Sequence, residues 1–154
     1  MKILDLIPAG GIVDDLRSDT KEGVLRELSE VICRAVPGMS PDHLLSVLMD
    51  RESLGSTGIG GGVAIPHGKI SGIDQLVTVF GRSRGGVQFT SLDGRPVRFF
   101  FLVVAPESNS AGIHLKVLAR ISRLAKDERF RRRLVEAEGV EEIRQVFAEE
   151  DEPA

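Results

Sequence analysis

Tryptophan and tyrosine are absent from this chain, and cysteine occurs once. Without Trp or Tyr, base-stacking platforms for single-stranded nucleic acid would have to come from the seven phenylalanines, which sit mostly in strand-like runs. A single cysteine, Cys33 in Val31-Ile32-Cys33, makes no internal disulfide; it reads as a small core residue in a reducing compartment. No segment approaches the ~18 continuous apolar residues of a membrane span. The start, Met1-Lys2-Ile3-Leu4-Asp5, has an acid too early for a secretory leader, so a cytoplasmic protein is expected. Net charge is -3, which argues against broad binding to nucleic acid or anionic membrane.

What remains is ordinary globular composition, 42% hydrophobic and 28% charged over 154 residues, enough for one domain with its own core. One domain is expected over residues 1–148. Glu149-Glu150-Asp151-Glu152 opens an acidic tail, 149–154, expected to be solvated and disordered. The one basic cluster, Arg129, Arg131, Arg132 and Arg133, reads as a solvated helix face.

Pro8 and Gly10-Gly11 break the first segment into short pieces. Asp19 and Glu22 have capping-box spacing ahead of Val24, Leu25, Leu28, Val31, Ile32 and Ala35, which recur at helical spacing until Pro37-Gly38. Ser40-Pro41 restarts a helix as N-cap and first residue, with Leu44, Leu45, Val47 and Leu48 on its buried face and an end at Arg51 to Leu54. The middle is strand-like: Val63-Ala64-Ile65, Leu76 to Phe80, and a hairpin in which Asp93-Gly94 joins Val87-Gln88-Phe89 to Val97–Val104. Phe99 to Val104 is apolar on both faces, as a central strand covered on each side would be. Helices then follow over 113–126, with Leu115, Leu118, Ile121, Leu124 and Ala125 on one face, and over 128–137 and 140–148. The order predicts a layered α/β (α+β) domain.

The glycines of Gly58-Ile59-Gly60-Gly61-Gly62 invite phosphate-binding templates, and these fail. G-x-G-x-x-G meets Val63 where its third glycine should stand, and Gly68-Lys69 is followed by Ile70 rather than Ser or Thr. No G-x-S-x-G surrounds Ser56. His43, His67 and His114 form no i, i+4 pair and have no cysteine partner, so no metal site is expected. His67 itself stands between a restrained and a permissive position, Pro66 and Gly68, with Lys69 beside it. An imidazole titrating near neutrality is a good nucleophile, and backbone amides of the glycine run can turn toward an anion. On local features alone His67 is either a transient phosphohistidine or a hydrogen-bonded hinge residue.

Arg51-Glu52-Ser53-Leu54-Gly55-Ser56-Thr57-Gly58-Ile59-Gly60, running into Ala64-Ile65-Pro66-His67-Gly68-Lys69, resembles the active-site signature of phosphotransferase-system enzyme IIA proteins of the mannitol/fructose class. The nitrogen-regulatory branch is the nearest likeness. The similarity extends through His114-Leu115, Leu124-Ala125-Lys126-Asp127 and Arg132-Arg133-Leu134, nearly the whole chain from Ile3 to Phe147. Gly60-Gly61-Gly62 departs from the family, which often has asparagine or another polar residue within that loop.

The resemblance implies a mannitol-type enzyme IIA fold, a mixed sheet of about five strands flanked by helices on both faces. It implies that His67 accepts a phosphoryl group from a histidine-containing phosphocarrier protein. His114 would orient the phosphoryl oxygens, and Arg51 would neutralise their charge. Ser56, Thr57, Gly58, Gly60 and Gly68 would form the phosphate loop, with Ser56 and Thr57 supplying hydroxyls. Ile59, Val63 and Ile65 are candidates for an apolar docking rim, and His43 takes no part in the chemistry. No cofactor, metal, nucleic-acid partner or membrane insertion is implied. Downstream the resemblance leaves two roles: a regulatory component acting on target proteins, or a sugar-specific component passing phosphate to an enzyme IIB. A pure interaction module, with the fold kept and the chemistry lost, is the third possibility, and the intact Arg51, His67 and His114 set argues against it.

Overall fold

The computed structural model describes residues 2–108 and 111–151. A short 3-10 helix, Ile3–Leu6, leads into β1 (Ile12–Val13), α1 (Lys21–Ala35) and α2 (Pro41–Ser53). The strands β2 (Gly58–Gly60), β3 (Val63–Ala64), β4 (His67–Ile70), β5 (Val77–Val87) and β6 (Val97–Pro106) follow, then α3 (Ala111–Lys126), α4 (Glu128–Glu136) and α5 (Val140–Glu150). The sheet has six strands: β2 and β4 form where the sequence reads as loop, while Leu76 to Phe80 and Val87, expected in separate strands, fall along the single strand β5 from Val77.

The expected centre of the sheet is correct. β6 pairs antiparallel with β5 on one side and parallel with β3 and β4 on the other. Its side chains alternate with the two-residue period of a strand. Phe99, Phe101 and Val103 join the core under α3, α4 and α5, while Phe100, Leu102 and Val104 join the core under α1 and α2. Burying each such side chain contributes about 1.5–3 kcal/mol, which is why a strand apolar on both faces settles in the middle.

Helix starts differ in detail from the sequence expectation. Thr20, not Asp19, caps α1: its hydroxyl accepts from the Gly23 N–H at 3.1 Å. Ser40 caps α2 as expected, accepting from the His43 N–H, with Pro41 at the first helical position. Among the described side chains of α3 the buried residues are His114, Val117, Ile121, Leu124 and Ala125, whereas Leu115 is 67% exposed. The helical stripe is therefore set one residue away from that expectation at its N-terminal end. Cys33 is half-buried at the edge of the α1–α2 core, and burial pushes its thiol pKa up.

The acidic end is not a solvated tail from residue 149. Glu149 and Glu150 complete α5 and both pair with Arg133, at 2.6 and 2.7 Å. The Asp151 carboxylate is buried, accepting from the Ile3 N–H at 2.7 Å and from Arg120 at 2.8 Å. A buried carboxylate persists only when its oxygens are paired, and here it ties the two ends of the chain together. Residues 152–154 lie outside the described residues.

Arg82, buried in β5, received no role from the sequence. Its guanidinium donates to the Leu134 and Ala137 carbonyls at the C-terminal end of α4, and to the Asp14 carbonyl and carboxylate. It satisfies carbonyls that a helix end leaves open and fixes α4 to the β1–α1 connection.

Candidate functional site

His67 opens β4, opposite Val103 of β6. Pro66 interrupts the edge of the sheet just before it. The Pro66 carbonyl still accepts from the Val103 N–H at 2.9 Å, but the Ile65 carbonyl turns to the imidazole, 2.8 Å from His67 Nδ1. A carbonyl only accepts, so Nδ1 carries the proton and Nε2 keeps its lone pair. Arg51, from the last turn of α2, approaches that second nitrogen: its Nε–H donates to Nε2 at 3.4 Å, while another guanidinium N–H donates to the Gly55 carbonyl at 2.9 Å.

His114, in the first turn of α3, completes the group. The two imidazoles meet edge to face, centroids 5.4 Å apart at 73°. His114 is buried, and its Nε2 has no hydrogen-bond partner among the described residues. A buried polar atom without a partner costs about 1–3 kcal/mol, so this nitrogen is poised for a ligand atom. Burial lowers the His67 pKa below its ordinary value; the Ile65 carbonyl and Glu52 oppose that, and Arg51 adds to it. Burial also lowers the His114 pKa, reinforced by the neighbouring His67 and Lys69. Burial thus favours the neutral form of both rings.

The three residues expected to carry the chemistry are thus brought together, from a helix end, an edge strand and a helix start. The loop residues behave differently. The Ser56 hydroxyl donates to the Phe89 carbonyl at 2.9 Å and accepts from the Gly58 N–H at 3.0 Å. Thr57 is buried and donates its hydroxyl to Glu52. Both hydroxyls are engaged inside the loop, which they shape. Gly60, Gly61 and Gly62 all have positive φ, +96°, +66° and +79°, and turn β2 into β3 in a conformation that side chains disfavour. Gly68 is required by proximity instead: a Cβ there would lie 2.7 Å from Val47 Cγ1 of α2. Lys69 is exposed beside the site, and His43 is exposed on the surface of α2.

Glu52 is the residue that sequence reasoning passed over, although it stands in the quoted motif. It is 8% exposed, accepts from both the Thr57 N–H and its hydroxyl, and forms an ion pair with Lys21 of α1 at 2.9 Å. It fastens the loop after Arg51 to the body of the domain. Of the three candidate rim residues only Ile59 is exposed, at 37%; Val63 and Ile65 are core. Exposed apolar side chains stand instead at Leu54, Leu92, Ile113 and Leu115. Leu54 follows Arg51 by three residues, Leu92 is hydrogen-bonded to Gly58 through its backbone, and Ile113 and Leu115 flank His114.

A family model described as the phosphoenolpyruvate-dependent sugar phosphotransferase system, EIIA 2, matches residues 5–150, and the chain belongs to that family. It is accordingly a phosphotransferase-system component of the enzyme IIA type, a family whose members carry phosphoryl groups via histidine. A "Nitrogen regulatory protein" of Bradyrhizobium diazoefficiens is 37% identical over 148 residues, 96% of this chain and 95% of that protein. The "PTS system fructose-specific EIIABC component" of Bacillus subtilis is 36% identical over 98% of this chain, which spans 24% of its length. Among solved structures, the "Nitrogen Regulatory Protein IIA-Ntr" from Neisseria meningitidis superimposes with a TM-score of 0.86 at 34% identity, covering 93% of this chain and 97% of that one. The IIA mannitol structure from Escherichia coli shares the fold, with a TM-score of 0.76 at 24% identity over 92% of this chain and 98% of that one. No helix among the described residues is long and apolar enough to cross a membrane.

Proposed function

We propose that His67 Nε2 is the phosphoryl acceptor of this enzyme IIA, charged by a histidine-containing phosphocarrier protein, and that the protein acts mainly as a regulatory component of the nitrogen type. The observation that carries this reading is the juxtaposition of two imidazoles. Nε2 of His67 bears a lone pair and faces Arg51; the His114 ring lies 5.4 Å from the His67 ring, and its Nε2 is buried with no partner among the described residues. A phosphoryl group arriving on His67 gives His114 the partner it lacks and gives Arg51 oxygens to replace the ring nitrogen.

In the transfer, the P–N bond to the carrier breaks with its electron pair returning to the carrier's nitrogen while the bond from Nε2 to phosphorus forms. The Nδ1 proton stays on the His67 ring, held by the Ile65 carbonyl. Such a step needs alignment and charge neutralisation more than covalent help. Leu54, Ile59, Leu92, Ile113 and Leu115 offer the apolar contact that a docking protein requires. The nitrogen-type role is supported by the names of the relatives from Bradyrhizobium and Neisseria; the fructose-specific relative supports a second reading, transfer onward to an enzyme IIB.

The test is incubation with a charged phosphocarrier system followed by intact-mass measurement. Wild type gains one acid-labile, base-stable phosphoryl group, His67→Ala gains none, and His114→Ala gains it more slowly. Equal uptake by wild type and His67→Ala overturns the assignment. Discharge of the phosphoprotein by an enzyme IIB from the same genome, with support of sugar uptake, would favour the transport role over the regulatory one.

A further inference from the structure

The arginine cluster of α4 is divided by the fold. Arg129 and Arg133 turn to α5 and pair with Glu149 and Glu150. Arg131 and Arg132 turn the other way, into a cleft of about 600 Å³ at the glycine turn. Across it stand Arg95 and Arg98, from the start of β6 and the residues just before it. The cleft shares no residue with the Arg51–His67–His114 group.

Four arginines and one acidic residue, Glu128, line the cleft. None of the four forms an ion pair among the described residues. The nearby Asp93 carboxylate is bound to the backbone N–H groups of Gly61 and Arg95. Arginine does not deprotonate, so this charge persists at any working pH. Two of the four are positioned by the backbone: Arg98 donates to the Arg84 carbonyl at 3.0 Å, and Arg131 to the Ala125 carbonyl. Arg131 also lies against the turn, its guanidinium carbon 3.4 Å from where a Cβ on Gly61 would stand. The triple glycine makes the turn through its positive φ angles, and Arg131 packs along it at ordinary van der Waals distance.

We propose that this cleft is a second anion site, which binds a small molecule carrying two or more phosphoryl groups, of the nucleoside diphosphate kind. The four arginines that line the cleft outnumber its one glutamate by three charges, and the ionised Asp93 carboxylate beside it lowers the excess to two. Four guanidiniums offer more paired donors than the oxygens of one phosphoryl group can occupy, so two phosphoryl groups suit the set. The guanidinium fork suits phosphate oxygens bidentately. The cleft's size is that of a small-molecule site, and Pro96 and exposed Val135 line it with apolar surface for the rest of a ligand. A chain of net charge -3 without tyrosine or tryptophan is poorly suited to a nucleic-acid strand.

Calorimetric and amide-NMR titrations test this, with pyrophosphate, ADP, inorganic phosphate and an oligoglutamate peptide as probes. Pyrophosphate and ADP are expected to bind saturably, about tenfold or more tighter than inorganic phosphate, and to weaken as salt rises. Shifts should centre on Gly61, Gly62 and Arg132. Arg95 and Arg132 are exposed and have no ion-pair partner among the described residues, so the Arg95→Ala/Arg132→Ala double variant is expected to keep its fold; it should bind about tenfold or more weakly. Arg26→Ala, a charge removed from α1, should bind as wild type does. The proposal is overturned by absence of saturable pyrophosphate and ADP binding in the low millimolar range, by equal affinity in the double variant, by shifts confined to Arg51 and His67, or by tighter binding of the peptide than of pyrophosphate.

Discussion

His67 Nδ1 and the Ile65 carbonyl oxygen are 2.8 Å apart, two residues from each other along one chain. That contact selects the tautomer, because the carbonyl can only accept, and so leaves the lone pair on Nε2. Phosphorylation is expected on Nε2. Nitrogen-15 NMR of the unphosphorylated protein should show a protonated Nδ1, and phosphorus coupling in the charged protein should run through Nε2. Modification of Nδ1 would contradict the geometry.

Burial lowers the pKa of both His67 and His114. The folded protein therefore binds fewer protons than the unfolded chain as pH falls below about 6.5, the ordinary histidine value. Their contribution is fully present above about 6.5 and is lost progressively as pH drops from there toward the folded-state values. NMR titration should place both midpoints below 6.5. Urea denaturation from pH 7 to 5 should cost wild type more stability than the His67→Gln/His114→Gln variant; identical losses would count against the shift.

Glu52 joins the loop after Arg51 to Lys21 and Thr57. Glu52→Ala leaves buried donors on Thr57 unpaired and Lys21 without its carboxylate. A loss of about 2–4 kcal/mol in urea denaturation is expected, together with slower phosphorylation because Arg51 loses its frame. Glu52→Gln, which retains an acceptor, should recover part of both. An unchanged phosphorylation rate in Glu52→Ala would show that the loop does not position Arg51.

Gly68 and Val47 meet where β4 passes α2. Gly68→Ala puts a methyl group 2.7 Å from Val47 Cγ1, which must displace the strand that carries His67. A destabilisation of about 1–3 kcal/mol is expected. Val47→Ala added to it should restore stability beyond the sum of the single effects, a coupling that a double-mutant cycle measures. Additive effects would mean that the clash relaxes elsewhere.

The existence of α1 to α5, the periodic residues of α1 and α2, and the doubly apolar run Phe99 to Val104 were legible because helix and strand periods are local properties of the chain. The family, too, was legible: Arg51-Glu52-Ser53-Leu54-Gly55-Ser56-Thr57 and Ile65-Pro66-His67-Gly68 are contiguous stretches with fixed spacing. Within them, roles were less visible than identities. Ser56 and Thr57 offer hydroxyls to any reader, but whether a hydroxyl faces a ligand or a neighbouring carbonyl depends on which chain segment lies across from it. Val63 and Ile65 look like rim or core with equal ease in sequence, and pairing of β3 with β6 decided for core.

The sequence by itself determined the class of protein, the identity of the candidate acceptor histidine, and the layered order of helices and strands, since each rests on neighbours in the chain. Tertiary structure alone decided what meets across the chain: His114 against His67, Glu52 against Lys21, Asp151 against Ile3, and Arg95 facing Arg132. Hydrogen bonds and ion pairs act over a few ångströms, so they depend on how crossovers fold distant segments together and not on separation along the chain.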